Sequence, residues 1–309
     1  MASTPWHSQP APVICVTGGA GFVGSHLIET LLRRYPEAQI VSIDNYLMGD
    51  LSNHIQSERV KYIVANTWDI EDVWKQHKLS APHVVFHLGE FSRIMQSFED
   101  FDIAWESIIR GTKAVLSFTA EHGAKFVYAG SSSKFGNEGL DENLSPYAWM
   151  KAKNVEFVIN YNNWFNVDFV VTYFFNVYGP RQISSGKYAT LIGIYETKML
   201  SGEPLPVVAP GTQTRDFTHV ADIVSGIILC AERGEGDGYS LGTGTNYSIL
   251  EVAEMFGGEV KMKPEEPGNR KWSLADYSKV EALGWEPEHN LKDYIEEFLE
   301  ANNLKKVTS

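Results

Sequence analysis

A doubly wound α/β fold, with a parallel sheet between two layers of helices, is predicted by three features of the 309-residue chain. Short apolar runs of strand length recur through its first two thirds. Segments with helical spacing lie between them. The first run ends in a glycine-rich turn, Thr17-Gly18-Gly19-Ala20-Gly21-Phe22-Val23-Gly24. Apolar runs without alternation suit strands buried on both faces, as parallel strands are. Strands that alternate with helices build such a sheet. Right-handed crossovers then bring the strand C-terminal ends to one edge, where ligands bind.

The elements follow in order. Val13–Thr17 is the first strand, and Phe22–Tyr35 carries apolar residues at Val23, Leu27, Ile28, Leu31 and Leu32, a helical period. Ile40–Asp44, Val60–Ala65 and His83–Leu88 read as the next three strands, with a helix over Asp69–His77. Trp105–His122 reads as one long amphipathic helix, Lys125–Ala129 as a strand, Tyr147–Trp164 as a helix and Phe169–Phe175 as a strand. Beyond Asn176, prolines at 180, 204, 206, 210, 264, 267 and 287 break the rhythm, although Asp216–Cys230 and Gly238–Gly242 still fit a helix and a strand of the sheet. The expected division is therefore a sheet domain of residues 13–175 plus about 213–245. A smaller, discontinuous C-terminal lobe, about 176–212 plus 246–309, closes over the ligand edge. Residues 1–12, rich in Pro, Ser and Ala, read as a loose tail.

Composition narrows the partners. Hydrophobic residues are 43% and charged residues 21%, the balance of a globular protein. The formal net charge of -13 disfavours non-specific nucleic-acid binding and anionic membranes. Neither Cys15 nor Cys230 has a CxxC partner or metal-ligand spacing, so no metal is expected. With no signal peptide and no long apolar span, the cytoplasm is the expected compartment.

Gly18, Gly21 and Gly24 form G-x-x-G-x-x-G between a strand and a helix. The first permits the turn, the second lets backbone approach phosphate, and the third lets the helix pack on the sheet. The helix N-terminus adds free N–H groups and a positive dipole end. Asp44 closes the second strand twenty residues after Gly24. A carboxylate there accepts ribose hydroxyls and repels a 2′-phosphate, so NAD is favoured over NADP. Asn45 assists it, Asn66 and Thr67 flank the adenine, and Leu88, Gly89 and Glu90 line the middle of the cofactor. Phe22, Val23 and Phe174 complete the expected cofactor set.

Tyr147 and Lys151 lie four apart on one helix face. A free tyrosine, with a pKa of about 10, is a weak base at neutral pH. A nearby ammonium stabilises its phenolate, which can then take a hydroxyl proton while hydride leaves the same carbon. Alone, Tyr-x-x-x-Lys is a chance pattern; the glycine turn upstream gives it weight. The serine triplet Ser131-Ser132-Ser133 offers a hydroxyl to complete a proton relay.

These motifs resemble those of the NAD-dependent nucleotide-sugar epimerase/dehydratase family, extended short-chain dehydrogenase/reductases with a Rossmann-type fold. The resemblance runs from Val13 to about Leu299. Besides the glycine turn, it is carried by HLGE (87–90), GT (111–112), SPYAWMK (145–151), FFNVYGPRQ (174–182), TRDFTHVADI (214–223) and LGW (283–285). It implies Ser131 as the catalytic hydroxyl, Tyr147 as the base, and Lys151 as its partner and holder of the nicotinamide ribose. It implies Asn176 and Arg215 at the substrate diphosphate, with Arg270 as a further contact. Ser92, Arg93, Ser131, Thr190, Leu191 and Val207 complete the expected substrate set, the loops 184–190 and 207–211 choosing the nucleotide.

The chain departs from the family's pattern at several positions. Ser133 stands where dehydratases and decarboxylases carry a Glu, which argues against water elimination. Gly89-Glu90 replaces the usual Ala-Ala or Ala-Gly. Glu266 replaces an Arg, and the stretch between Gly136 and Tyr147 is short. The resemblance therefore implies a nucleotide-sugar 4-epimerase working through a transient 4-keto sugar. Its rivals are a 4-dehydrogenase or ketoreductase, a 4,6-dehydratase, and a non-catalytic nucleotide-binding protein. A homodimer through the helices 105–122 and 147–164 is also implied. Trp105, Ile108 and Ile109 are candidates for that interface or equally for the core.

Overall fold

The computed structural model describes residues 5–137, 142–265 and 267–304. Its strands are β1 (Val13–Thr17), β2 (Gln39–Asp44), β3 (Val60–Val64), β4 (Val84–His87), β5 (Lys125–Ser131), β6 (Phe169–Phe174), β7 (Val177–Tyr178), β8 (Leu205–Val208), β9 (Thr214–Asp216), β10 (Thr218–His219), β11 (Gly236–Leu241), β12 (Asn246–Ser248) and β13 (Val260–Lys263). Its helices are α1 (Phe22–Arg34), α2 (Ile70–Gln76), α3 (Gln96–Glu99), α4 (Phe101–Trp105), α5 (Gly111–His122), α6 (Pro146–Phe165), α7 (Leu191–Ser201), α8 (Val220–Arg233), α9 (Ile249–Phe256), α10 (Ser278–Glu281) and α11 (Leu291–Ala301).

Seven strands form one parallel sheet in the order β11-β6-β5-β4-β1-β2-β3. The chain winds outward from β1 to β3, returns to place β4 on the other side of β1, and then winds the other way. A crevice opens where the order reverses, between the C-terminal ends of β1 and β4. One apolar layer packs α1 and α8 on one face through Leu27, Leu31, Ile223 and Ile227. On the other face Val115, Phe118, Val155 and Val158 of α5 and α6 meet Cys15, Val85 and Phe126. A third core, with Tyr195, Leu205, Phe256 and Ile295, gathers elements that follow β6. Asp216 ties its own strand to two later stretches of the chain. Its carboxylate accepts from the amide and hydroxyl of Thr243 (both 2.9 Å), the Gly244 amide (3.0 Å) and the Ala275 amide (3.1 Å).

Two expectations need correction. The segment before β1 is not loose over its described part: Trp6 is buried, and its indole N–H donates to the Ala231 carbonyl at 2.8 Å. One large ring is enough to hold a polar tail against Tyr35 and Phe86. The helix expected from Trp105 to His122 begins earlier, at Phe101, and widens into a π-helical stretch over Glu106–Arg110 before α5. Gly111 follows that stretch because a Cβ there would come within 2.3 Å of Thr67 Oγ1.

Candidate active site

The crevice continues into a cleft of about 560 Å³ that runs from the glycine turn to Arg215 and Arg270. At one end Gly18 adopts φ +75°, and its carbonyl would be 2.0 Å from a Cβ on residue 24. Glycine is thus required at 24 for α1 to start this close to β1. Opposite, a Cβ on Gly18 would sit 2.8 Å from the Gly89 amide nitrogen, so two bare backbones face each other across the switch point. No side chain caps α1, whose first N–H groups face the cleft as an anion seat. Asp44 ends β2 and accepts from the Ala20 amide (3.0 Å) and the Tyr46 amide (2.8 Å). Burial pushes its carboxyl above the ordinary value, and the two amides oppose that rise. These residues fit a dinucleotide: a pyrophosphate meets the helix N-terminus, and a ribose meets Asp44. Phe22, Val23, Asn45, Thr67, Leu88, Gly89 and Phe174 also line the cleft. Asn66 is not in the wall; its side-chain amide is tied to Asn45 (3.1 Å) and Asp69 (3.2 Å).

The middle of the cleft is built by β5 and α6. Ser145 caps α6 by accepting from the Ala148 amide at 3.1 Å, and Pro146 occupies the first turn where no N–H is needed. Tyr147 in that first turn points into the cleft, nearly buried. Ser131 ends β5 and accepts from the Ser133 hydroxyl (2.9 Å) and amide (3.2 Å). Its own proton remains available to a third oxygen. Burial pushes the Tyr147 phenol up to about 12, a side-chain hydrogen bond with Ser131 and the positive charges of Arg93 and Arg270 pull it back, and the Glu90 charge raises it.

Glu90 lines the cleft but spends its carboxylate inside the protein. It pairs with the Lys151 ammonium and accepts from the Thr112 hydroxyl, from Tyr128 Oη (3.1 and 3.2 Å) and from Asn154 Nδ2 (3.2 Å). Burial alone would raise its carboxyl, yet Lys151 and His87 hold it down at about 2. Lys151 also donates to the Ala129 carbonyl at 2.7 Å and lies 4.4 Å from the Tyr128 ring centre. Burial lowers its ammonium, and Glu90 counters that. Glu90, expected at the cofactor, and Lys151, expected beside Tyr147, both line the cleft, and here the two charges also satisfy each other. Behind them Thr17, His87 and Thr112 continue the network at 2.7 and 3.1 Å.

The far end carries cations. Arg215 on β9 donates to the Thr214 carbonyl (2.8 Å) and Asn269 Oδ1 (2.7 Å), and burial lowers it to about 10. Arg270 is buried, holds the Ser132 carbonyl and the Ser273 hydroxyl, and is lowered to about 9 by burial and by Arg215. Asn176 lines the wall and donates to the Asp216 carbonyl at 2.9 Å. Ser92, Arg93, Thr190 and Leu191 line it as well. Val207 does not: it is wholly buried, because strand alternation turns its neighbours Pro206 and Val208 to the cleft instead. Glu266 lies outside the described residues, as do residues 138–141 of the short stretch before Tyr147. Sequence reading missed Met48, Trp68, Gln213 and Asn269, all in the wall. Trp68 and Asn269 were within reach, each next to a residue already singled out.

Residues 14–242 match the family model described as "NAD dependent epimerase/dehydratase family". A putative UDP-glucose 4-epimerase of Methanocaldococcus jannaschii is 28% identical over 92% of this chain and 96% of its own length. UDP-glucuronic acid decarboxylases of Arabidopsis thaliana and dTDP-D-glucose 4,6-dehydratases of mammals match at 25–28% identity. Among solved structures, the Thermotoga maritima UDP-glucose 4-epimerase with UDP-glucose superposes with a TM-score of 0.84 at 26% identity, covering 93% of this chain and 97% of that one. The Thermus thermophilus UDP-glucose 4-epimerase in complex with NAD gives 0.82 at 25%, covering 94% and 99%. With a dinucleotide cradle at one end of its cleft and a phenol–serine pair in the middle, the chain belongs to the NAD-dependent epimerase/dehydratase family.

Proposed function

We propose that the protein is an NAD-dependent nucleotide-sugar 4-epimerase. NAD, held by the glycine turn and Asp44, supplies a hydride acceptor that later returns the hydride. Tyr147, ionised once the positive nicotinamide of bound NAD lies beside it, would take the C4 hydroxyl proton, and Ser131 would donate a hydrogen bond to the same oxygen as it becomes a carbonyl. Arg215 and Arg270 anchor the diphosphate while the sugar presents its other face. Tyr147 then gives the proton back.

One observation carries this reading: among the described residues, no carboxylate stands free at the sugar end. The cleft's acids are Asp44 at the cofactor end and Glu90 locked to Lys151, while Ser133 bonds to Ser131. Dehydration needs an acid to expel water, and the described residues of the cleft offer none free; oxidation and reduction at one carbon need only Tyr147 and Ser131. The test is NMR of nucleotide sugars incubated with the holoenzyme, together with absorbance at the NADH band. Inversion at C4 without net NADH supports the proposal. A released keto sugar with stoichiometric NADH, or a 4-keto-6-deoxy product, refutes it.

We also propose a homodimer through α4–α5 and α6. Phe101, Trp105 and Trp149 form an exposed stack there, with ring centres 6.1 and 6.4 Å apart. A contiguous aromatic ladder in water marks an interaction surface. Ile108 is wholly buried and belongs to the core.

A further inference from the structure

Residues 269–273 tie the cation end of the cleft to the catalytic serine turn. On one side Asn269 Oδ1 accepts from Arg215 Nη2 at 2.7 Å, and the Lys271 carbonyl accepts from the Thr214 amide at 3.0 Å. On the other, the Lys271 amide donates to Asn137 Oδ1 at 2.7 Å. Arg270 lies between these ties and is buried. Its Nη1 donates to the Ser132 carbonyl, and its Nη2 donates to the Ser132 hydroxyl (3.3 Å) and to the Ser273 hydroxyl. A guanidinium carries five N–H donors in a fixed fork. Nε and the second proton of Nη1 find no acceptor among the described residues, and Arg270 lines the cleft. The Asp216 charge reaches it, but that carboxylate is spent on Thr243, Gly244 and Ala275.

Ser132 follows the reacting hydroxyl directly. The backbone of Ser131 is paired with Phe174 of β6, so the sheet holds it. The direction of its hydroxyl depends on the 3-10 turn Ser132–Phe135, because Ser131 Oγ accepts from the amide and the hydroxyl of Ser133. Lys134 holds the far end of that turn by donating to Tyr173 Oη at 2.8 Å. Arg270 holds the near end, at the residue beside Ser131. A diphosphate that takes the idle donors supplies the counter-charge of a shielded guanidinium and fixes the fork from its second side.

We infer that Arg270 is a positioning residue: a diphosphate bound to its idle donors locks its fork on Ser132 and so aims the Ser131 hydroxyl. Arg215 differs, since its donors go to Thr214 and Asn269 and none to the serine turn. The inference rests on the diphosphate placement in the proposed function, but not on the fate of the sugar.

Hydrogen–deuterium exchange with mass spectrometry on the NAD-loaded protein reads the turn. Calorimetry first selects the tightest binder among UDP, dTDP and GDP. In wild type that nucleotide should slow exchange in the peptide spanning residues 131–136 by roughly fivefold or more, the low end of coupling between sites. Arg270→Lys keeps the charge but not the fork. It should still bind the nucleotide yet show no added protection, and its kcat at saturation should fall about 10²-fold, as for a misplaced reacting group. Arg215→Lys should raise KM and keep the protection. Ser132→Ala, which removes one acceptor and no charge, should shrink the protection, and melting curves check the folding of each variant. Three results overturn the inference: no protection in wild type, including the case where none of the three nucleotides binds; full protection and kcat in Arg270→Lys; or a loss in nucleotide affinity that accounts for the whole loss of turnover. The NMR assay separates this role from the reading beneath it. Protection lost in Arg270→Lys beside a released keto sugar or a 4-keto-6-deoxy product refutes the epimerase and supports the positioning role. Inversion at C4 with equal protection in wild type and Arg270→Lys does the reverse.

Discussion

Glu90 and Lys151 face each other nearly out of contact with water, so removing one charge strands the other. In Glu90→Leu the ammonium keeps only the Ala129 carbonyl and the Tyr128 ring, while Thr112, Tyr128 and Asn154 lose a shared acceptor. Breaking a buried pair from one side costs about 3–5 kcal/mol. With roughly 2.1 cal/mol/K of unfolding entropy per residue over this chain length, that lowers the melting temperature by about 5–8 °C. Lys151→Met strands the carboxylate and should cost a similar amount. The double variant removes both charges and should return to within about 1–2 kcal/mol of wild type, since a buried pair replaced by apolar groups is often neutral. Because Glu90 is held at about 2, below its ordinary 4.5, its stabilisation is present above pH 4.5 and lost as pH falls through about 2. Wild type should therefore lose stability over that interval more steeply than Glu90→Leu. Denaturant melts of the four proteins across pH provide the measurement. Additive losses, with the double variant worse than either single one, would refute the pairing.

Other consequences follow from the same geometry. Tyr147→Phe should lower kcat by about 10²–10⁴-fold while leaving nucleotide-sugar affinity within a few fold, read by single-turnover kinetics and calorimetry. Glu90→Gln removes a negative charge that raises the Tyr147 phenol, so the acid limb of the pH–rate profile should move to lower pH; an upward move contradicts the electrostatics. Trp6→Ala should cost about 3–5 kcal/mol in urea unfolding, whereas a loose tail would cost nothing. Trp105→Asp combined with Trp149→Asp should convert a dimer to a monomer in analytical ultracentrifugation, and an unchanged sedimentation coefficient would exclude that surface as the interface.

Much of the sheet, and several residues that line the cleft, were legible because their signals are local. The glycine turn, Asp44, Ser131 and Tyr147 each belong to a strand end or a helix start, and a strand end at the ligand edge has few places to point. What stayed hidden depends on partners far along the chain. Glu90 meets Lys151 across 61 residues, so nothing local in the sequence announced their pairing. Val207 sits on a four-residue strand with apolar neighbours, where nothing in the pattern tells inward from outward. The π-helical stretch over Glu106–Arg110 carries no proline or glycine that would mark it in the sequence. Trp6 was masked by the Pro, Ser and Ala around it, although a lone indole in a polar tail is itself a hint of burial.

The carboxylate of Asp216 ties two later stretches of chain, at 243–244 and at 275, to its own strand, and Arg215 is its immediate neighbour. A guanidinium mounted beside such a junction has little freedom to swing. Its orientation is settled when the chain folds, so a ligand arriving at that end meets a pre-aimed donor and loses little freedom of the protein on capture. Loosening the junction, for instance with Asp216→Asn, should thus weaken diphosphate binding without any atom of the contact being altered.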